Sequence, residues 1–299
     1  MKSSGGCAAM RSPEGLAESS ATGTIATAVE ASRRSLIGKS PTPWLDARML
    51  ASHVTGLDAS AIIVYGDHRL APRRRDELQS LTARRAVGEP IAYLIGFKEF
   101  CGMRIAVDRR VLIPRPETEE LVQRVIDDWR GRHLQILDLG TGSGAIACAL
   151  ADMLPDSAIT ATDVSEPALE VARANVDGLA LGERITLLHS DLFAALGDST
   201  YDAIVANLPY VAQDDPELDP AVARYEPRIA LDAGVDGLAV YRRMFSEAPA
   251  HLNAGGRIYC ECGPATAPGV ARLAAEAFPK EQTIVLADMS ARDRIVIVA

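Results

Sequence analysis

Leu137-Asp138-Leu139-Gly140-Thr141-Gly142-Ser143-Gly144 is the stretch that decides the fold. It closes a β-rich apolar run, residues 134–139, and opens an apolar helical pattern, residues 145–153. Glycines at this junction permit a tight turn and let a ligand approach the backbone closely. Outward from it, short apolar runs at 158–163, 185–189, 203–206, 257–262, 283–287 and 295–299 read as strands. Helical patterns at 167–176, 238–252 and 269–278 separate most of them. Strand–helix alternation of this kind predicts an α/β domain with a mainly parallel sheet.

In an open α/β sheet, ligands bind in the crevice beyond the carboxyl ends of the strands. Asp163 ends the second run 19 residues after Gly144. That offset suits a carboxylate that accepts hydrogen bonds from ribose hydroxyls. The glycine spacing is G-x-G-x-G, with the third glycine one residue earlier than in a dinucleotide fingerprint. Asp138 places a negative charge beneath the loop, which opposes a pyrophosphate and suits a sulfonium bearing an α-ammonium. Both features favour S-adenosylmethionine over NAD, held by Asp138, Gly140, Thr141, Gly142, Ser143, Gly144 and Asp163. Asp191 and Leu192, after the third run, are expected beside the adenine.

Asn207-Leu208-Pro209-Tyr210 follows the fourth run and is expected across the same crevice. An amide or exocyclic amine is a poor nucleophile because its lone pair is delocalised. Two acceptors aimed at its two N–H bonds hold it and draw it toward a reactive shape. Asn207 Oδ1 and the Leu208 carbonyl suit that task. Pro209 restricts Leu208 before it, and Tyr210 offers a flat face for stacking. These four residues are the catalytic and substrate-binding candidates, with Asn207 also facing the cofactor. Leu208 is expected to act through its main chain. Glu117 or Glu119, in the stretch 113–119, is a candidate neighbour of the cofactor's ammonium. The tetrapeptide leaves three readings open: a protein amide methyltransferase, an N6-adenine or N4-cytosine nucleic-acid methyltransferase, and a non-catalytic cofactor-binding factor.

Composition bounds the rest. The chain has 299 residues, of which 48% are hydrophobic, enough for two cored domains. Net charge is −9, which disfavours stable nucleic-acid binding. Residues 1–115 carry 17 Lys+Arg against 11 Asp+Glu, a net of +6, which leaves −15 for the remainder. Arg73, Arg74, Arg75, Arg84 and Arg85 read as the solvated face of one helix. No apolar run approaches the ~20 residues of a membrane span, and no secretory h-region is visible, so a cytoplasmic location is expected; a monomer is expected as well. Five cysteines without regular spacing are not a disulfide framework. Cys260 and Cys262 share one face of a strand as packing residues, and no His or Cys spacing suits a metal. The expected division is a disordered tail at 1–22, a helical substrate-docking domain at 23–88, a β-hairpin connector at 89–116 and the α/β domain at 117–299.

Several strings together carry a resemblance. They are Gly88-Glu89-Pro90-Ile91-Ala92-Tyr93-Leu94, Leu112-Ile113-Pro114-Arg115-Pro116-Glu117-Thr118-Glu119, the glycine loop, Asn207–Tyr210, and Glu226-Pro227-Arg228-Ile229-Ala230-Leu231-Asp232 with Gly234, Asp236, Gly237 and Leu238. With them the chain resembles the release factor glutamine methyltransferases over nearly everything after the tail. The resemblance implies methyl transfer from S-adenosylmethionine to the N5 amide nitrogen of the glutamine in the Gly-Gly-Gln loop of class 1 peptide chain release factors. It also implies a seven-stranded Rossmann-like class I methyltransferase sheet with one antiparallel strand, and a helical N-terminal domain that helps dock the factor. Leu208 stands where the family usually has proline, and Leu192 where it usually has an aromatic residue.

Overall fold

The computed structural model describes residues 23–213 and 215–299. The tail expected to be disordered, 1–22, lies outside the described residues. The chain forms two units, one ending at Ile95 and one spanning Gly96–Ala299.

The first unit is helical: α1 (Ile25–Leu36), α2 (Pro43–Thr55), α3 (Ala59–Val64), α4 (Pro72–Ala86) and a short α5 (Ile91–Ile95). Local chemistry sets the ends. Thr24 caps α1 in a reciprocal pair with Thr27. Pro43 and Pro72 occupy first-turn positions, where a missing N–H loses no helical bond. Gly56 ends α2 in the left-handed region, φ 72°. Ile25, Leu36, Leu50 and Leu78 form part of the buried core. The arginines keep only part of the expected solvated face: Arg73 and Arg84 are exposed, while Arg74, Arg75 and Arg85 are partly buried. Arg85 is 12% exposed and donates to Asp46 Oδ2 at 2.6 Å. Arg84 grips both oxygens of buried Glu89, at 2.8 and 2.7 Å, and Arg74 donates to the Thr55 carbonyl. Three of the five therefore hold helix ends together, and part of the +6 is neutralised internally.

In the second unit, β1 (Phe97–Phe100) and β2 (Met103–Ala106) form an antiparallel hairpin. Its two turn residues, Cys101 and Gly102, both have positive φ, 47° and 76°, which matches the twist of a two-residue hairpin. Then follow α6 (Pro116–Trp129), β3 (Gln135–Leu139), α7 (Ala145–Met153), β4 (Ala158–Asp163), α8 (Glu166–Gly178), β5 (Ile185–His189), β6 (Tyr201–Ala206), α9 (Pro220–Tyr225), α10 (Ala239–Glu247), β7 (Leu252–Glu261), α11 (Ala267–Ala277), β8 (Thr283–Ala287) and β9 (Asp293–Val298). The helix expected over 238–252 is shorter than its apolar pattern. It ends at Glu247, Pro249 holds a 3-10 turn, and β7 starts at Leu252, because proline cannot continue a helix interior.

Seven strands form one sheet in the order β5-β4-β3-β6-β7-β9-β8, parallel except for β9, which runs antiparallel to both neighbours. This is the class I methyltransferase arrangement. Strand order reverses between β3 and β6, and the crevice beyond their carboxyl ends is the expected ligand position. Leu139 pairs with Ala206 in register, so Gly140 and Asn207 leave the sheet side by side. Cys260 and Cys262 lie in the core beneath, as free thiols.

Candidate active site

A cavity of about 520 Å³ opens at this switch point, within the range of small-ligand sites. The glycine loop forms one bank. Gly140, Gly142 and Gly144 all have positive φ, 72°, 55° and 78°. The left-handed φ at Gly140 would strain any other residue, and a Cβ there would stand 2.9 Å from Leu208 Cδ2, so the leucine tip would have to move aside. Gly144 packs instead on α8, where a Cβ would meet Ala172 at 3.3 Å. Gly140, Thr141, Gly142, Ser143, Asp163, Asp191, Leu192, Asn207, Leu208 and Pro209 line the cavity; Asp138 and Gly144 do not.

Asp138 lies fully buried beneath the loop. Thr141 Oγ1 donates to its Oδ2 at 2.6 Å, while Oδ1 has no hydrogen-bond partner. Burial, against the Thr141 hydroxyl, pushes its carboxyl up to about 7. A buried unpartnered acceptor is costly, and a cationic ligand group would relieve it. Asp163 accepts from Gly142 N and Ser165 N, both at 2.8 Å, and so holds the loop at the cavity wall. Burial raises its pKa. Asp191 accepts from Arg243 on α10 at 2.9 Å, and Arg243 also lines the cavity. Leu192 is buried with φ 49°. Glycine walls, an orphaned buried carboxylate oxygen and a carboxylate at the second strand end fit an adenosyl group carrying a sulfonium and an amine.

Asn207–Tyr210 form the other bank. Asn207 Nδ2 donates to Thr118 Oγ1 at 3.1 Å, and Thr118 donates onward to Glu261 Oε2 at 2.6 Å. Among the described residues no donor meets Asn207 Oδ1, which is left to the cavity. Leu208 N donates to the Tyr241 hydroxyl at 3.3 Å, and that hydroxyl donates to the Glu261 carbonyl. Tyr210 packs on Gly263, where a Cβ would lie 3.2 Å from its ring, and its hydroxyl stands 3.5 Å from Glu261 Oε1. Tyr210 faces a smaller hollow of about 210 Å³, which shares Asn207 and Leu208 with the main cavity.

Sequence reading did not single out Glu261 or Tyr241. Glu261 had a signal, a lone acid at the carboxyl end of an apolar strand, as at Asp138 and Asp163. Glu226 explains why two motif strings occur together. Its buried carboxylate accepts from Ile113 N at 3.0 Å and from Arg115 Nη2 at 2.5 Å, tying the stretch before α6 to the loop before α10. Glu119 is not at the cavity. It accepts from Cys101 N at 3.2 Å and secures the hairpin turn, because its helix position faces β1–β2.

The "PrmC N-terminal domain" family matches residues 27–96, and the "Methyltransferase small domain" family matches residues 117–224. The chain is 40% identical over 265 residues to the release factor glutamine methyltransferase of Rhodopirellula baltica, covering 86% of this chain and 89% of that one. It is 38% identical over 266 residues to that of Moorella thermoacetica, covering 89% and 94%. For that of Bordetella pertussis the identity is 44% over 223 residues, covering 74% and 82%. Among solved structures, the hMettl16 catalytic domain in complex with MAT2A 3'UTR hairpin 6 aligns with TM-score 0.53 at 20% identity, over 73% of this chain and 81% of that chain. At that identity the likeness concerns the fold alone.

Proposed function

The chain belongs to the release factor glutamine methyltransferase family, and on that premise we propose that it methylates the glutamine of the Gly-Gly-Gln motif in class 1 peptide chain release factors, on the side-chain N5 nitrogen. The enzyme class is an S-adenosylmethionine-dependent protein-glutamine methyltransferase. The cofactor supplies an electrophilic methyl group on a positively charged sulfur. Asp138 and Asp163, with the backbone of Gly140–Gly142, would hold it, and Asp191 and Leu192 would border its adenine.

One observation carries the reading: Asn207 Oδ1 and the Leu208 carbonyl are both left without a partner among the described residues, at the join of the two hollows. A primary amide has two N–H bonds, and two acceptors match them. Holding both bonds orients the nitrogen and favours pyramidal geometry as charge develops. Methyl transfer would leave the cofactor as a neutral thioether and the nitrogen positively charged and acidic, so the nitrogen's proton would pass to water without a strong base. Tyr210 forms a wall of the entry hollow. The helical unit, with its separate family match, is assigned to docking the factor.

Labelled S-adenosylmethionine, incubated with intact release factor or with rRNA, tests the reading. Label should appear on the factor and vanish when its Gly-Gly-Gln glutamine is replaced. Label on rRNA instead would overturn it. No helix among the described residues is long and apolar enough to cross a membrane.

A further inference from the structure

Asparagine has an almost symmetric head. Its acceptor and its donor exchange places by a half-turn of the terminal torsion, at no steric loss. For the transfer site the two orientations are opposites: one presents Oδ1 to the target amide, the other presents a donor to a group that itself only donates. Something must choose between them. The same question arises for the Leu208 carbonyl, since Leu208 lies in a loop beyond the end of β6 and has no sheet ladder to aim it.

Both choices lead to one residue. Thr118 Oγ1 has a single proton. With that proton given to Glu261 Oε2 at 2.6 Å, the oxygen can only accept, so it selects the Nδ2 end of Asn207 at 3.1 Å. The Leu208 N–H is held by the Tyr241 hydroxyl at 3.3 Å, and that hydroxyl is anchored on the Glu261 main-chain carbonyl. Glu261 is 1% exposed and ends β7, the strand beside β6, so its position is fixed by the sheet. We propose that Glu261 is a positioning residue that aims both acceptors of the transfer site: its carboxylate sets the Asn207 amide through Thr118, and its carbonyl sets the Leu208 peptide through Tyr241. The inference rests on the proposed role of those two acceptors.

The direction of the chain depends on charge. Ionised Glu261 can only accept from Thr118. Protonated Glu261 can donate to Thr118 Oγ1, which frees the threonine proton to meet Asn207 Oδ1 and turns the amide around. Burial pushes the Glu261 carboxyl up to about 7, against the Thr118 hydroxyl and Arg294, so both states are reached near neutrality. The other groups facing it are Glu117 on α6, Tyr210, Tyr241 on α10 and Cys262, with Arg294 on β9 paired to Asp288.

The test uses the full chain labelled with 15N-asparagine. The Asn207 side-chain amide is assigned by its loss in Asn207→Asp. Its resonance should follow pH near neutrality in the wild type, keep doing so in Glu117→Gln, and stop in Glu261→Gln and Thr118→Val. With release factor as substrate, Glu261→Gln and Thr118→Val should lower kcat about 10–100-fold, by analogy with the loss of a group that orients a metal ligand. KM should move little, and Thr118→Ser should restore the rate. S-adenosylmethionine calorimetry confirms that each variant is folded. An Asn207 amide that ignores pH in the wild type, or that titrates unchanged in Glu261→Gln, overturns the inference, as does a Glu261→Gln kcat within twofold of wild type. The amide measurement needs no substrate. It therefore decides the relay even where the wild-type chain labels no release factor, a result that counts against the proposed function alone.

Discussion

Two buried carboxylates stand under the crevice, Asp138 at the end of β3 and Glu261 at the end of β7, and both are pushed up to about 7 by burial. They differ in what they leave unpartnered. Glu261 has both oxygens engaged, by Thr118 and Tyr210, and its carbonyl by Tyr241. Asp138 has one oxygen on Thr141 and one orphaned. Similar burial and a similar shift therefore accompany different tasks. A satisfied buried acid holds its neighbours in place. On the proposed reading, an unsatisfied one is relieved when the cofactor's cationic group binds. The banks above them differ in the same sense: the glycine loop is shaped to let a ligand approach, and Asn207–Tyr210 is shaped to hold acceptors still.

The largest effect should come from the bank that holds acceptors still. Asn207→Ala removes one of the two acceptors for the target amide. We expect kcat to fall about 10²–10³-fold, the loss typical of one preorganised hydrogen-bonding group. Calorimetric affinity for S-adenosylmethionine should change far less. Equal losses in both measurements would erase the distinction between the banks.

The glycine-loop bank should behave in the opposite way. Asp163→Ala and Asp138→Asn each remove charge-assisted contacts worth about 1.5–3 kcal/mol, so S-adenosylmethionine should bind about 10–150-fold more weakly. With saturating cofactor, kcat should largely recover. Unchanged affinity in Asp163→Ala would remove it from the cofactor site.

Much of this contrast was open to sequence reading, and the reason is local. β4, β5, β8 and α7 begin and end where their apolar runs do, because each run is bounded by turn or cap residues a few positions away. The glycine loop, Asp163 and Asn207 announce themselves by chemistry adjacent in the chain. The Thr118–Glu261 bond does not, since it joins residues 143 positions apart. Neither residue type is unusual where it stands. Only the pairing of β6 with β7, and the packing of α6 against the sheet, brings them together. α5 and α9 were invisible for another reason: five or six residues are too few to show a helical period.

A pH experiment separates the two acids. Below about pH 4 folded and unfolded chains both keep Asp138 protonated, given its ordinary value of 3.8. Between there and about 7 the folded chain holds a proton that the unfolded chain has lost. Stability without cofactor should therefore fall as pH rises through that window and level off above it. Glu261 acts with the same sign, from 4.5 to about 7. Bound S-adenosylmethionine should favour ionised Asp138, so binding near pH 6 should release a proton. Calorimetry in two buffers of different ionisation enthalpy reads that release directly. Asp138→Asn should remove most of it and Glu261→Gln should leave it in place. Proton release undiminished by Asp138→Asn would place its source at Asp163, whose pKa burial also raises, and would mean that the orphaned oxygen does not face the ligand.

The smallest effect is expected at Leu208, where the banks touch. Sequence reasoning makes this residue a carrier of a carbonyl, so that Leu208→Pro should keep or raise activity by stiffening the loop. The structure adds two contacts. Its side chain is buried, with Cδ2 closing on Gly140, and its N–H donates to Tyr241. Proline keeps the carbonyl and restricts the backbone, a gain of about 0.4–1 kcal/mol where the conformation fits. It also loses the N–H, and a neutral hydrogen bond contributes about 0.5–1.5 kcal/mol. These nearly cancel, but proline also gives up most of the leucine's buried packing, so Leu208→Pro should destabilise the fold by about 1–3 kcal/mol, while kcat should change by no more than a few-fold because the proline ring takes over from Tyr241 in fixing the carbonyl. Leu208→Gly keeps the N–H but removes the packing and loosens the carbonyl, and should lose more than the proline variant in both respects. Measured side by side on a Gly-Gly-Gln substrate, the two variants separate main chain from side chain. If Leu208→Pro abolishes methylation while the fold and cofactor affinity persist, then the leucine side chain itself meets the substrate. The border between the banks would then belong to recognition as well as to the transfer step.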